Sequence, residues 1–216
     1  MTKPPTGPEG RDELFRAVLG SLRFRHAVFG LMAVLFVAWM AADRSGVRYN
    51  HTESKPRGFY QEVEGRAEAL ELGQLVAVCP PAKVAQWGLE AGYYRKSLGS
   101  DCPESAMPTL KHVVALEGDR VEVQSGAVLV NGVELAKSAR LARDRNGREV
   151  PGIAPGVYPV EQGQMWLLLD HERSFDSRYY GPVPTRDFVA VMKPLLTFGN
   201  AESSREKEGR DVQRFE

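Results

Sequence analysis

A serine at position 54 lies in the segment HTESKPRGFY, which is rich in residues that form tight turns. Pro56 and Gly58 interrupt any regular helix or strand there, so we expect the serine hydroxyl on an exposed turn. A serine hydroxyl becomes a nucleophile for acyl transfer only when a nearby base removes its proton. A Ser-x-Pro sequence on its own is usually no more than a turn. The chemistry therefore depends on whether the chain supplies that base.

Lys111 is the candidate general base. It lies in the apolar segment LKHVVALEGDRV, beside Leu110, Val113 and Val114. A lysine accepts a proton only when it is neutral, and burial in an apolar wall lowers the pKa of its ammonium group. A shift of that pKa from about 10.4 to near 8 opposes folding by roughly 3 kcal/mol. The alternative is a charged lysine that points into solvent, as most lysines do.

A polar loop, SFDSRYYGPVP at residues 174–184, follows the apolar segment MWLLLD. Asp176 and Arg178 can form an ion pair that fixes this loop. Ser174 can hydrogen-bond the lysine amine and orient it toward Ser54. The alternative is an ordinary polar loop with a surface ion pair.

Other kinds of chemistry receive no support from the composition. The chain has 216 residues and a formal net charge of zero, so its overall charge does not indicate a nucleic-acid partner. Its two cysteines and four histidines are scattered, without the spacing of a zinc site. We therefore predict no metal, no cofactor and no nucleic-acid partner.

Seven short segments rich in Val and Leu, bounded by Gly, Pro, Asp and Asn, are predicted to be strands. They are Leu75–Val78, Lys111–Leu116, Arg120–Val123, Ala127–Val130, Val157–Val160, Gln164–Leu169 and Phe188–Met192. The stretch from Lys83 to Ser97 is predicted as a helix or a long insertion. Many short strands with little helix between them indicate a mainly β, mostly antiparallel domain.

An uncharged apolar run, AVFGLMAVLFVAWMAA at residues 27–42, precedes the predicted strands. At about 1.5 Å per residue it is slightly short for a bilayer core, a deficit that snorkelling of Arg25 and Arg44 can make up. We predict a retained transmembrane anchor. A cleaved signal peptide fits less well, because Met40 occupies a position that the cleavage site reserves for a small residue. A buried core helix is the other alternative, and Lys and Arg are balanced at the two ends of the run, which leaves its orientation open.

Three blocks of the chain occur in order between Thr52 and Met192: SxP, then LKHVVALEGDRV followed by VLVNG, then SFDSRYYGPV. Together they resemble the bacterial type I signal peptidases, which cut with a Ser/Lys pair. The resemblance implies a signal-peptidase-like antiparallel β catalytic domain behind a single N-terminal transmembrane helix. It also implies that Ser54 is the nucleophile and Lys111 the general base.

The same resemblance assigns the supporting residues. Ser174 matches the serine that orients the lysine, and Asp176 and Arg178 match a structural ion pair. Thr52 falls where the family places a hydroxyl that joins the backbone N–H of Ser54 in the oxyanion hole.

Departures from the housekeeping enzymes indicate one branch of this family. Those enzymes carry S-M-x-P-T-L around the nucleophile and an arginine after the lysine, whereas this chain has S-K-P-R-G-F-Y and His112. The lead-in to the third block is also not the usual G-D-N-R. Ser-x-Pro-x-Gly-x-Tyr with two Cys-Pro pairs resembles the conjugative-transfer, TraF-type peptidases, which process a pilin subunit for mating-pair formation. The implied periplasmic location predicts a disulfide between Cys79 and Cys102.

The resemblance implies a single-pass protein of the bacterial inner membrane with a periplasmic catalytic domain. Residues 1–26 form the cytoplasmic segment, 27–44 the anchor, 45–199 the Ser/Lys peptidase domain and 200–216 a charged, flexible tail. The implied partners are the lipid bilayer, a membrane-tethered propilin or other exported precursor, and mating-pair formation proteins.

Three other functions stay open at this point. One is a general signal peptidase that removes many secretory signal peptides, and another is a non-catalytic membrane-tethered β module with a solvent-facing Lys111. The third is a cytosolic self-cleaving repressor of related fold, which the apolar run and the absence of a DNA-binding segment disfavour. For a peptidase, water is the default acceptor, but the amino terminus of the pilin itself is an alternative that gives a cyclic product.

Overall fold

The computed structural model describes residues 24–37, 40 and 45–198. The chain divides into two compact units, Met1–Val47 and Arg48–Glu216. In the first unit, residues 24–37 are helical and their side chains are exposed. Among the described residues, no helix has both the length and the apolar character that a membrane crossing needs. The predicted anchor at 27–44 is only partly described, and the predicted N-terminal segment up to residue 23 and the tail from 200 lie outside the described residues.

The second unit is built mainly from short strands. The described residues contain β1 Val47–Asn50, β2 Arg57–Val63, β3 Leu75–Val78, β4 Thr109–Ala115, β5 Arg120–Val123, β6 Val128–Val130, β7 Val133–Glu134, β8 Gly156–Pro159, β9 Gln164–Leu168, β10 Val183–Pro184 and β11 Phe188–Phe198. Helix α1 spans Ala82–Glu90 and helix α2 spans Ser177–Tyr180, with single 3-10 turns at Ala67–Ala69, Pro103–Ser105 and Thr185–Asp187.

The strands form two sheets. The larger has the order β1-β2-β11-β3-β4-β9-β10, and the smaller has the order β7-β6-β5-β8. The pairs that join β2 through β10 in the larger sheet, and all pairs of the smaller sheet, are antiparallel. The predicted class, a mainly β antiparallel domain, is confirmed.

Strand β9 lies between two hydrophobic clusters of the domain. Met165 and Leu167 pack into the cluster beneath the larger sheet, whereas Trp166 and Leu168 pack into the cluster against the smaller sheet. Successive side chains of a strand point to opposite faces, so β9 is buried on both. This double burial is why its sequence is a continuous apolar run and not an alternating one.

All seven predicted strand segments contain strands, but the elements around them differ from the prediction. The sequence analysis missed β1, β2, β7 and β10, and β11 continues well beyond Met192 to Phe198. The stretch from Lys83 to Ser97, predicted as a helix or a long insertion, contains most of α1, which ends at Glu90, and continues as non-helical chain. Gly92 follows with a positive φ of 77°, which a continuing helix does not allow.

Candidate active site

The loop between β1 and β2 carries Ser54. Gly58, at the start of β2, holds this loop close to β11, because a Cβ atom on Gly58 would lie 2.2 Å from the carbonyl oxygen of Leu196. Glycine is therefore the residue that fits this contact and its φ of 151°. Tyr60 lies two residues further on and donates a hydrogen bond from its hydroxyl to the carbonyl oxygen of Pro56 at 2.8 Å.

Asn50 closes the Ser54 loop from its other end. Its Nδ2 donates to the carbonyl oxygens of Thr52, Lys55 and Pro56 at 3.2, 3.1 and 3.1 Å. Its Oδ1 accepts from the backbone N–H and from the hydroxyl of Thr52. One buried side chain thus provides hydrogen-bond partners for backbone C=O and N–H groups of the turn. Thr52 Oγ1 in turn lies 3.2 Å from Ser54 Oγ.

Lys111 lies on β4, the strand that pairs with β3 and β9 in the larger sheet. The residue is only 5% exposed, and its Nζ donates a hydrogen bond to Ser174 Oγ at 2.9 Å. Burial lowers the pKa of the Lys111 ammonium to about 8, against the opposing attraction of the Asp176 carboxylate. A large fraction of Lys111 is consequently neutral in mildly alkaline solution, which is the form that accepts a proton.

The loop that carries Ser174 is fixed by a buried ion pair. Arg178 and Asp176 are fully buried, with Arg178 Nε 2.7 Å from Asp176 Oδ1. The guanidinium also donates to the carbonyl oxygens of Leu169 and Lys137, each at 2.7 Å, and Asp176 Oδ2 accepts from the backbone N–H of Leu169 at 3.2 Å. Every charged oxygen and nitrogen that is buried here has partners, as burial of charge requires. The ion pair of Asp176 with Arg178 that was predicted to fix the loop is present, and it lies in the interior, unlike the surface pair of the alternative.

A cavity of about 920 Å³ brings the predicted residues together. Thr52 and Ser54 line it from the β1–β2 loop, Lys111 from the sheet and Ser174 from the buried loop. Within the described part of the second unit, no hydrogen bond joins Ser54 to Lys111. The two side chains therefore face a common space that can admit a peptide, while their direct contact is not made.

The sequence profile of the family described as signal peptidase, peptidase S26, matches residues 21–196. The chain belongs to the S26 signal peptidase family. Serine peptidases make up this family, so the mainly β domain is that of a serine peptidase family member. Ser54 lies on a turn and is half-buried.

Among its relatives, this S26 chain is similar to proteins named for conjugal and plasmid transfer. It is 35% identical over 154 residues to the conjugal transfer protein TraF of Agrobacterium fabrum strain C58, a match that covers 71% of this chain and 84% of that one. It is 33% identical over 176 residues to a plasmid transfer protein TraF of Escherichia coli, covering 81% of this chain and 96% of that one. The predicted resemblance to the TraF-type branch is confirmed. A signal peptidase I structure from Enterococcus faecalis V583 matches with a TM-score of 0.33 and 18% identity, over 57% of this chain and 97% of that one.

A disulfide-closed insertion forms one wall of the cavity in this S26 domain. Cys79 and Cys102 are joined as predicted, with an S–S distance of 2.02 Å, and α1 lies between them. The insertion packs on the buried loop through Phe175, whose ring centroid lies 5.2 Å from those of Trp87 and Tyr93. Because Phe175 directly follows Ser174, the insertion supports the residue that contacts the lysine amine.

A second contact fastens the insertion to the segment 141–150. The Tyr93 hydroxyl donates to Asp144 at 3.1 Å, and Arg148 donates both to Asp144 and to the carbonyl oxygen of Ala91 at 2.7 Å. Burial alone would raise the pKa of Asp144, but hydrogen bonds from Arg148 and Asn146 outweigh it and lower the pKa to about 2. The carboxylate is thus ionised throughout the physiological range.

The cavity wall carries more positive than negative charge. It includes seven arginines but only two carboxylates, and these are Arg48, Arg57, Arg95, Arg143, Arg145, Arg148 and Arg173 with Glu53 and Asp144. Glu53 is shared by Arg57 and Arg145. Among residues 45–198, neither Arg95 nor Arg173 forms an ion pair. Arg48 and Arg143 pair with Glu62 and Glu149, which do not line the cavity, and Arg148 pairs with Asp144. The positive field in the cavity therefore comes mainly from Arg95 and Arg173.

The sequence analysis missed three features of the site: Asn50, the Phe175 ring cluster and the arginine-rich wall. Asn50 stands two residues before Thr52 in N-x-T-x-S, a spacing that suits an Asx turn and was the available signal. In residues 24–37, 40 and 45–198, no group of three or more His, Cys, Asp or Glu side chains has the arrangement to hold a metal ion.

Proposed function

We propose that this chain is a membrane-anchored serine endopeptidase that cuts with Ser54 as nucleophile and Lys111 as general base. The observation that carries the proposal is the Lys111 amine, which is buried, held by Ser174 and lowered in pKa to about 8, at the wall of the cavity that Ser54 also lines. Burial of a lysine side chain lowers the stability of the fold, and a catalytic role accounts for its presence at such a position.

In the acylation step, Ser54 Oγ attacks the carbonyl carbon of the scissile peptide bond and its proton passes to the neutral Lys111 Nζ. The carbonyl π electrons move to oxygen, where the Ser54 backbone N–H and the Thr52 hydroxyl stabilise the charge. As the intermediate collapses, the C–N bond breaks and the Lys111 ammonium returns the proton to the leaving amine. Lys111 is then neutral again and an ester joins the substrate to Ser54.

The ester is resolved by a second nucleophile that Lys111 deprotonates. Water gives a linear product. An amine held near the ester gives a new peptide bond, because a tethered group has an effective concentration far above its bulk value. A pilin whose two ends meet at the same membrane surface supplies such an amine, so cyclisation of the subunit belongs to the proposal.

The substrate we propose is an exported precursor of a conjugative transfer system, most specifically its pilin subunit. This rests on the relatives named conjugal and plasmid transfer protein TraF. Contacts with other mating-pair formation proteins and with the lipid bilayer follow from the same assignment. The membrane assignment is supported by the uncharged run 27–42, of which residues 27–37 are helical and expose apolar side chains such as Phe29, Leu31 and Val34.

The experiment is co-expression of the full chain with candidate pilin precursors, followed by the mass of the mature subunit. We expect Ser54→Ala and Lys111→Ala to abolish processing, and Lys111→Arg as well, because a guanidinium does not deprotonate. Ser125→Ala and Lys193→Ala are matched controls on exposed positions and should process normally. Normal processing by Ser54→Ala or Lys111→Ala would instead favour the non-catalytic module.

The same mass measurement distinguishes the remaining alternatives. A cyclic subunit is lighter than the linear cleaved chain by one water, so a purely linear product leaves hydrolysis as the activity. Removal of many unrelated secretory signal peptides by the chain would indicate a general signal peptidase. Carbonate extraction of the full chain from membranes tests the anchor, and a reporter fused after residue 200 that is active only in the cytoplasm would contradict a periplasmic domain.

A further inference from the structure

The Asn50 side chain has a defined orientation. Three carbonyl oxygens surround its Nδ2, and the backbone N–H of Thr52 points at its Oδ1 from 3.1 Å. Turning the amide by 180° would place an oxygen against three carbonyl oxygens and an NH₂ group against an N–H. The observed assignment is therefore the one that the surroundings allow.

This orientation sets the direction of the hydrogen bonds that lead to the nucleophile. Asn50 Oδ1 only accepts, so the Thr52 hydroxyl must donate its single hydrogen across the 2.7 Å between them. Thr52 Oγ1 is then the acceptor in its contact with Ser54 Oγ at 3.2 Å. The hydrogens run in one direction, from Ser54 to Thr52 to Asn50.

The consequence is that neither hydroxyl is oriented for reaction in the substrate-free protein. The Ser54 hydrogen, which Lys111 must remove, points at Thr52. The Thr52 hydrogen, which an oxyanion would need, is held by Asn50. Attack requires both hydroxyls to rotate, while the Thr52 backbone N–H can stay on Asn50 Oδ1 and keep the loop in shape.

We propose that Asn50 is a positioning residue of the Ser/Lys reaction, acting through Thr52; this rests on the proposed peptidase function. Asn50 holds the Ser54 loop closed and keeps the Thr52 hydroxyl turned inward until a scissile carbonyl arrives. The Thr52 hydrogen then turns from Asn50 to the carbonyl oxygen, and the Ser54 hydrogen turns from Thr52 to the neutral Lys111 amine. No atom is gained or lost in this rearrangement, and the only proton transferred goes from Ser54 Oγ to Lys111 Nζ.

The test uses the purified full chain and a peptide spanning the cleavage site. Asn50→Ala and Thr52→Val should each lower kcat about 100-fold, the scale of losing one oxyanion donor, with KM changed by less than about 3-fold. Asn50→Ala releases the loop that places the Thr52 hydroxyl and Thr52→Val removes that hydroxyl, so the double variant should be about as slow as the slower single variant. Losses that multiply to about 10⁴-fold would show independent roles and overturn the proposal.

Tyr60→Phe is the matched control for simple loop stability. It removes the other side-chain hydrogen bond to Pro56 and leaves the Asn50–Thr52 contact in place. Its kcat should stay near that of the unmodified chain, and a loss as large as that of Asn50→Ala would overturn the proposal. If Asn50→Ala does not fold, Asn50→Ser keeps a small polar side chain but lacks the amide that reaches Thr52 and the three carbonyl oxygens, and it should also lower kcat about 100-fold. A kcat near that of the unmodified chain would overturn the proposal.

Amide hydrogen exchange at Thr52 gives a readout that does not need activity. Its N–H should exchange faster by at least about 10-fold in Asn50→Ala and be unchanged in Tyr60→Phe, because only the first loses the Oδ1 acceptor. Unchanged exchange in Asn50→Ala overturns the proposal. If the unmodified chain does not cleave the peptide, but the Thr52 N–H exchanges faster in Asn50→Ala as expected, the peptidase function is contradicted and the Asn50 contact is not.

Discussion

Lys111 Nζ lies 2.9 Å from Ser174 Oγ, and both residues are buried. When the amine is neutral it donates one hydrogen to Ser174 and keeps its lone pair for a different partner. Ser174 therefore directs the amine and leaves free the lone pair that, in the proposed reaction, accepts the proton of Ser54.

The pH dependence of cleavage should report the lowered pKa of Lys111. Only the neutral amine accepts a proton, so kcat/KM should be low in acid, rise with pH and reach half its maximum near pH 8. A pH series with a peptide substrate measures this, on the same chain kept folded as judged by circular dichroism. A midpoint near 10.4, the value of an exposed lysine, would contradict a buried base.

The same burial predicts that Lys111 destabilises the fold at neutral pH. Its folded-state pKa is lowered to about 8, so the unfolded chain binds more protons between that pH and about 10.4, and stability rises with pH across this window. Lys111→Met should raise the free energy of unfolding at pH 7 by up to about 3 kcal/mol, and the gain should shrink above pH 8. Urea unfolding at pH 7 and pH 10 measures both values. A gain that is equal at the two pH values would refute the linkage to Lys111.

Ser174→Ala should lower kcat by about 10- to 100-fold and cost about 1–3 kcal/mol of stability, because the buried Lys111 amine loses both its direction and its hydrogen-bond acceptor. Ser177→Ala is the matched control. Its hydroxyl accepts from the backbone N–H of Leu167 at 3.0 Å, so its loss should cost about 1–3 kcal/mol of stability and leave kcat unchanged. Equal effects of the two variants on kcat would remove the special role of Ser174.

Loss of the disulfide should lower both stability and activity. The bridge closes a loop with a sequence separation of 23, so replacing Cys79 and Cys102 by Ser should cost about 3 kcal/mol in the chain-entropy view. Because the insertion packs on Phe175, kcat measured well below the melting temperature should also fall. The control is Ser177→Ala, which lowers stability but should keep its kcat. A variant with lowered stability and full kcat would show that the insertion does not support Ser174.

The positive cavity wall predicts a preference for acidic residues near the scissile bond. Each added Asp or Glu should raise kcat/KM by about 5-fold at low salt, the scale of one exposed ion pair, and the preference should fade with added salt. Arg95→Glu with Arg173→Glu should reverse it, whereas Arg186→Glu, which does not line the cavity, should not. Equal cleavage of acidic and neutral peptides by the unmodified chain would contradict this prediction.

Apolar runs determine how much of this fold the sequence could predict. The seven predicted segments are rich in Val and Leu, pack into the two hydrophobic clusters, and each contain a strand. Strands β1, β2, β7 and β10 were missed because they are short or carry polar, partly exposed residues, such as RGFYQEV in β2. Strand β2 pairs with β11, far along the chain, so no local pattern predicts that contact. Strand β7 pairs with the adjacent β6 but is only two residues long, which is too short for a periodic signal.

The candidate site, like the fold, could be predicted from the sequence only in part. Ser54, Lys111 and Ser174 could be proposed because their types and their neighbours suit the chemistry, and the structure places all three at one cavity. The role of Asn50 could not, because it depends on a loop that brings three carbonyl oxygens around one amide. The rings around Phe175 likewise come from separate segments that only the disulfide-closed insertion brings together.

Strand β11 has a consequence for when activity begins. In the larger sheet it separates β2, next to the Ser54 loop, from β3 and the Lys111 strand β4. The last described strand of the chain thus joins the first two to the rest of the sheet, which is a pairing of very high contact order. A nascent or partly exported chain that lacks residues 188–198 cannot complete this sheet. If Ser54 and Lys111 are the proposed nucleophile and base, they come together only when nearly the whole domain is present, so the topology itself delays activity until synthesis of the domain is almost complete.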